Sequence, residues 1–190
     1  MDSILHEDKI FDKIDYSEKL LPKSEFVDCV FNNCNFSKAD LSQHDFLDCH
    51  FKGCNLSLAI MENTGLKNIV FTDCKLTGID FSRCSNFLFA VKFENSPLDY
   101  SSFFQKKMKK TSFTGCSIKD ADFTETDLSS AVFKNCDLMN ASFINTSLEN
   151  ADFRTARNYV FDPEMNKIKK AKFSYPAVSG LLAKYDIDIQ

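Results

Sequence analysis

The stretch 131–153, "AVFKNCDLMNASFINTSLENADF", carries a Phe or Leu at 133, 138, 143, 148 and 153, with a small residue two places before each. A period of five fits neither a helix, which repeats every 3.6 residues, nor a strand, which repeats every two. A chain that turns a corner every five residues satisfies it, because each corner then points one apolar side chain at a common axis. Counting back from Phe153 in fives gives apolar residues as far as Leu88, and counting forward from Phe26 gives them as far as Phe81. The two series differ in phase by two, which places a two-residue insertion within Cys84–Val91.

The number of corners per coil follows from which residues match. With four corners, residues 20 apart stack, and one column reads Phe31, Phe51, Phe71, Phe93, Phe113, Phe133 and Phe153 once the insertion is counted. The small positions follow the same rule, as in Cys34, Cys54, Cys74, Ser96, Cys116 and Cys136. All eight cysteines occupy this small inward slot, where a thiol acts as a compact hydrophobe. A line of sulfurs along an axis cannot converge tetrahedrally on zinc, so neither a metal nor a cofactor is expected. Cys49-His50 and His44-Asp45 are not expected to form catalytic pairs, since successive residues face opposite ways, and a non-enzymatic protein is predicted.

Ala39-Asp40-Leu41, Ala121-Asp122-Phe123 and Ala151-Asp152-Phe153 match the A(D/N)LXX motif, and over residues 24–153 the sequence resembles the pentapeptide-repeat family. The resemblance implies an all-β fold, a right-handed quadrilateral β-helix. Coils about 4.8 Å apart would make a rod on the order of 30 Å long from six to seven coils. Residues 1–23, with Ile4, Leu5, Ile10, Phe11, Ile14, Tyr16, Leu20 and Leu21 among charges, read as a leader lying over the first coil. Residues 154–190 read as a C-terminal cap, with a short helix near Ser174 and Pro176 followed by a strand through Tyr185, Ile187 and Ile189.

That ending resembles the quinolone-resistance pentapeptide proteins. The resemblance implies a homodimer formed through Val178, Leu181, Leu182, Tyr185, Ile187 and Ile189. It also implies a DNA mimic that binds bacterial DNA gyrase or topoisomerase IV, with a generic scaffold for another protein partner as the alternative.

Charge bears on that choice. The chain has 27 acidic and 23 basic residues, a net −4, which favours no direct contact with nucleic acid. One side of the rod carries Asp40, Glu62, Asp80, Asp122 and Glu125 against Arg83 alone and is the candidate partner-binding stripe. A second candidate combines the insertion, with Phe87 and Phe89, and the basic run Lys106, Lys107, Lys109 and Lys110. Met108 is expected to stack over Leu88 there. The inward column Ser24, His44, Thr64, Lys106, Thr126 and Thr146 is polar, which predicts looser or wetter coils. The N-terminal residues have no apolar run of signal-peptide length and no later segment has the length of a membrane span, so a cytoplasmic protein is expected.

Overall fold

The computed structural model describes residues 3–19 and 21–188. Short strands form two adjacent sides of the coil: β1 (Ile4–Glu7), β2 (Ile10–Asp12), β3 (Ser24–Val27), β4 (Val30–Asn32), β5 (Asp45–Leu47), β6 (His50–Lys52), β7 (Gly65–Lys67), β8 (Ile69–Thr72), β9 (Val91–Glu94), β10 (Ser112–Thr114) and β11 (Val132–Lys134). They pair in parallel in two sheets, β1-β3-β5-β7 and β2-β4-β6-β8-β9-β10-β11. Single parallel bridges such as Asp40↔Ile60 and Asn35↔Asn55 close the remaining sides. The fold is a β-solenoid with little helix.

The four-corner count holds in the register. Phe31 pairs with Phe51, Phe51 with Phe71, Phe71 with Phe93, Phe93 with Phe113 and Phe113 with Phe133. The rings stack at centroid separations of 4.6 Å (Phe31–Phe51) to 5.5 Å (Phe71–Phe93), with planes 3° to 23° apart. Phe11 extends the column below Phe31 at 4.8 Å and Phe173 extends it beyond Phe153 at 5.5 Å. Each ring is therefore sandwiched by two others, which explains why one corner admits only Phe.

The unit itself is a small device for turning. The residue before each Phe or Leu is often Asp or Asn, and its side-chain oxygen accepts the N–H two residues on, as in Asp40 to Ser42 (2.9 Å), Asn55 to Ser57 (3.1 Å) and Asp122 to Thr124 (2.9 Å). This side-chain bond mimics a backbone turn. The residue two after the Phe or Leu takes a left-handed conformation, as at Asn33 (φ 53°), Asn63 (φ 53°) and Asp73 (φ 55°), where Asn, Asp and Gly are tolerated best.

The slot two before the Phe or Leu is buried and satisfied. Thr64, Thr126 and Thr146 donate to the carbonyls of Leu41, Phe103 and Phe123 at 2.7–2.8 Å, and Cys54, Cys74 and Cys136 direct their thiols at Phe31, Phe51 and Phe113 carbonyls. The polar column is thus neither loose nor wet as expected. Its threonine hydroxyls bond directly to the coil beneath, Ser24 donates to Pro22 O at 2.7 Å, and its members, including His44 and Lys106, are all buried.

Both ends differ from expectation. Residues 4–16 are not a leader laid over the rod but a coil of it, with Ile4 in register with Ser24, Phe11 with Phe31 and Asp15 with Asn35. At the other end Tyr175–Leu181 and Ala183–Tyr185 are 3-10 helices, and no strand follows among the described residues. Asp186, at φ 48°, turns the chain so that Tyr185 and Ile187 stand exposed with no neighbouring strand to pair with.

Candidate protein-interaction site

The acidic side is built from turn-forming carboxylates. Asp40, Asp80 and Asp122 occupy the position before Leu41, Phe81 and Phe123, so their charge is fixed to the rod by the same bonds that close the turns. The Ser42 N–H and hydroxyl hold the Asp40 carboxyl below the usual aspartate range. Asp80 also accepts from Arg83 at 3.3 Å, and Arg83 reaches Glu62 at 3.1 Å, so the single base of this side neutralises its middle. Asp40, Asp122 and Glu125 have no basic partner within ion-pair distance among the described residues. Glu125 instead accepts from Gln105 at 2.8 Å.

The insertion is narrower than the sequence indicates. Ser85 N–H still bonds Thr64 O in the ordinary spacing, whereas Ile69 pairs with Val91, two residues late, so the added pair is Phe89-Ala90. Asn86 falls where the apolar corner residue belongs and is exposed as a residue although its Oδ1 meets the buried Lys106; Phe89 packs half-buried against the core. Leu88 is not under Met108 as expected. It sits in the left-handed turn position (φ 54°), 65% exposed, while Met108 is buried.

Lys106 anchors this loop and does not belong to the surface patch in which the sequence placed it. It is only 1% exposed. Its ammonium donates to the Cys84 carbonyl and to Asn86 Oδ1 (2.9 Å) and lies 4.9 Å from the Phe89 ring centroid. Burial lowers its pKa. No sequence pattern marked this lysine as a loop anchor, although its place in the small inward slot was the available signal. Phe87, 67% exposed, projects beyond the loop with Lys67 Nζ 5.4 Å from its ring centroid, and Lys67 is paired to Asp45 at 2.6 Å. A Cβ at Gly65 would lie 1.7 Å from Asp45 Oδ1, so any side chain there would force the Asp45 carboxylate to move. Lys107, Lys109 and Lys110 are exposed on the next coil, with Lys109 3.4 Å from Asp127.

The segment expected to dimerise covers the rod's own end. Leu181 is buried, Val178 packs half-buried on the core, and Leu182 is half-buried, while Lys184 ties the segment down through Asp162 (2.8 Å) and Glu164 (2.6 Å). Tyr185 and Ile187 remain exposed, and Ile189 lies outside the described residues. Cys49 and His50 form no pair: the thiol is buried and directed at backbone carbonyls, and His50 Nε2 meets Thr72 Oγ1 at 2.9 Å. Among the described residues no group of three His, Cys, Asp or Glu could hold a metal ion. Among the described residues no helix is long and apolar enough to cross a membrane.

A coil of four five-residue sides, a small inward slot and an Asp or Asn turn closer together define a pentapeptide-repeat protein. The pentapeptide repeat region family matches residues 24–103 and the eight-copy pentapeptide repeats family matches 116–155, so the chain belongs to the pentapeptide-repeat family. No curated protein matches it closely. Among solved structures it is similar to a trypsin-treated form of QnrB1, a plasmid-mediated fluoroquinolone resistance protein, at 17% identity over 100% of both chains with a TM-score of 0.63. HetL, a pentapeptide repeat protein involved in heterocyst differentiation regulation in the cyanobacterium Nostoc, is 17% identical over 90% of this chain and 85% of its own, with a TM-score of 0.43.

Proposed function

We propose that this rod is a non-enzymatic, homodimeric protein-binding module whose acidic side occupies a DNA-binding surface of a bacterial type II topoisomerase, DNA gyrase or topoisomerase IV. The stripe is the observation that carries this reading. Asp40 and Asp122 are four coils apart, about 19 Å at 4.8 Å per coil, and the stripe has a net −4 over that span. Duplex DNA carries roughly 11 charges over such a length and one strand roughly 6. The stripe therefore imitates the edge of a single strand and not a whole duplex, and its rigidly held carboxylates lose little freedom on binding.

Competition between the protein and DNA for gyrase, measured at rising salt, tests the reading. Binding should weaken steeply with salt, as contacts between complementary charges do. Asp80→Asn with Asp122→Asn removes two charges yet keeps the turn bonds, because Asn35 and Asn55 already serve that purpose in other coils. Loss of competition by this variant supports the reading, and unchanged competition sinks it.

A second reading, a scaffold for a different protein, is favoured by the insertion. Phe87 and Leu88 form an exposed apolar projection, and Phe89 beside them shares a groove with Lys109 and Lys110, a basic neighbourhood whose charge is wrong for mimicking DNA. Phe87→Ser should leave gyrase competition intact under the first reading and abolish partner binding under the second.

A further inference from the structure

We infer that the side of the rod bearing the insertion is a self-association surface, on which a second copy of this chain packs face to face and antiparallel. The inference takes up the homodimer of the reading above but not its topoisomerase partner, so either can fail alone. The observation behind it is a reversal of charge along this one side. Its outward positions hold Glu25, Val27 and Asp28 in one coil, with Asp45, Leu47 and Asp48 over them in the next. Beyond the insertion the same positions hold Lys107, Lys109 and Lys110. Between the two halves stand Phe87 and Leu88, both exposed.

The acidic half keeps its charge for a partner. Lys67 neutralises Asp45 at 2.6 Å, but Glu25, Asp28 and Asp48 have no basic side chain within ion-pair distance among the described residues. In the basic half Lys109 lies 3.4 Å from Asp127, while Lys107 and Lys110 have no acidic side chain within that distance among the described residues. A surface acidic in one half and basic in the other is complementary to its own copy turned end for end. An isologous contact requires that self-complementarity, and it closes at two copies.

The match can be followed residue by residue. A two-fold axis lying across this side at the level of Lys67 reverses the order of the coils and keeps each outward column on its own column. Phe87, one coil beyond the axis, then lands on Leu47 of the second copy, where a recess of about 140 Å³ lined by Val27, Leu47 and Lys67 receives the ring. Two coils from the axis, Lys107 meets Glu25 and Lys110 meets Asp28. At the axis Gly65 has no side chain and Lys67 lies down on Asp45, so the two faces can approach. Farther out, Glu7 and Asp8 meet Ser129 and Ser130 without opposing a carboxylate. Sliding the copies by one coil either sets Asp127 on Glu25, a like-charge contact, or leaves Lys107 over Leu5 with no carboxylate to meet. The side carrying Asp40 and Asp122 stays uncovered.

About seven coils at 4.8 Å and a side about 15 Å wide with its outward side chains give two faces that bury roughly 1,000 Å² in all. That is at the low end for specific interfaces and predicts association in the micromolar range, weakened by salt. Sedimentation of the full chain from about 1 to 100 μM should show a monomer–dimer equilibrium. Glu25→Lys with Asp28→Lys makes the whole face basic, and Lys107→Glu with Lys110→Glu makes it acidic; each variant alone should dimerise at least about tenfold more weakly. Lys38 and Glu125 already occupy the left-handed turn position of Asp28 and Lys110 in other coils, so the rod tolerates both exchanges. Mixing the two variants should restore a dimer containing one copy of each, a result no folding defect can imitate. Tyr185→Lys with Ile187→Lys, at the C-terminal segment, should change nothing. A chain monomeric at 100 μM, charge variants that dimerise as the parent does, a mixture that stays monomeric, or a dimer lost with the Tyr185 and Ile187 variant would each overturn the inference.

Discussion

The two ends of this rod solve one problem in different ways. At the C-terminal end a segment outside the repeat folds back with Gly180 against Tyr159 and Phe161, buries Leu181, and is clamped by Lys184 to two carboxylates. At the N-terminal end the coil of residues 4–16 keeps the register of the rod but leaves Ile4, Leu5, Ile10 and Ile14 exposed around an apolar cavity of about 210 Å³. A solenoid coil contacts only its neighbours, so an end is stable only if something replaces the missing coil. One end is covered by a segment from outside the repeat; the other keeps the repeat and exposes apolar side chains.

The largest test of the contrast compares a ring in mid-column with a ring at the N-terminal end. Phe113 is fully buried between Phe93 (5.2 Å) and Phe133 (4.9 Å), and Phe113→Ala should destabilise by about 3–5 kcal/mol in denaturant melts. Phe11 is half-exposed and stacked on one face only, so Phe11→Ala should cost the monomer about half as much or less. Equal costs would mean that the first coil is covered even in the monomer. Next in size is Leu181→Ala, which uncovers the closed end and should cost about 2 kcal/mol, the lower part of the range for a core leucine. Amide exchange should then quicken over 159–173 and stay unchanged in β1 and β2, and a change at both ends would show that the rod unfolds as one unit.

Why the middle of this molecule was readable in its sequence and the ends were not has a physical cause. In mid-rod every coil has the same neighbours above and below, so one residue type repeats at one corner, and the Phe31-to-Phe153 column discloses four corners per coil. At residues 4–16 the strands keep the register, but the slot holds Ile4, Lys9 and Ile14 in place of small residues. The missing small residues disguise a coil as a leader. In the C-terminal segment the apolar spacing of Val178, Leu181 and Leu182 was visible, yet spacing alone does not say whether a side chain faces its own rod or a second copy. The acidic side was legible residue by residue, since outward positions follow directly from inward ones. What was not legible is that Asp40, Asp80 and Asp122 also close turns. Lys106 was conspicuous in an inward slot, but its carbonyl, amide and ring partners depend on where an irregular loop returns.

Alkaline pH separates the middle from the ends in another way, because all eight cysteines lie between 29 and 136. Burial pushes the Cys49 and Cys84 thiols from an ordinary 9.0 up to about 12, and the bonds to the neighbouring Cys54 and Cys116 thiols, together with burial, hold Cys74 and Cys136 up as well. The unfolded chain then releases protons that the folded chain retains, so stability is intact below pH 9 and falls as pH rises from there toward 12. At pH 10 the loss should be about 1 kcal/mol for each such thiol. Lys106 acts in the opposite sense: burial lowers its pKa, so the folded chain loses that proton first, and stability is regained as pH climbs from its folded pKa toward the ordinary lysine value. Melts of Cys49→Ala should show a shallower alkaline decline, and those of Lys106→Met a steeper one. An unchanged alkaline slope in Cys49→Ala would contradict the burial of that thiol.

The smallest effect compares the same turn position near each end. Asp15 and Asp152 both accept the N–H two residues on, from Ser17 at 2.9 Å and from Arg154 at 3.1 Å, but only Asp152 also holds an arginine, with Arg154 at 2.7 Å. Asn preserves the turn bond in either place, so Asp15→Asn at the N-terminal end should leave the melting midpoint where it is. Asp152→Asn additionally breaks the ion pair and should cost about 0.5 kcal/mol, an exposed pair being worth no more. Arg154 holds the Asp152 carboxyl below the ordinary aspartate range, so this contribution is present above the unfolded-state pKa near 3.8 and is lost as pH falls through the folded value. Melts of the two variants against the parent protein at pH 7 and again near pH 2 isolate it. A difference between Asp152→Asn and the parent that persists at pH 2 would assign the cost to the turn and not to the ion pair, and the two ends would then differ only in what covers them.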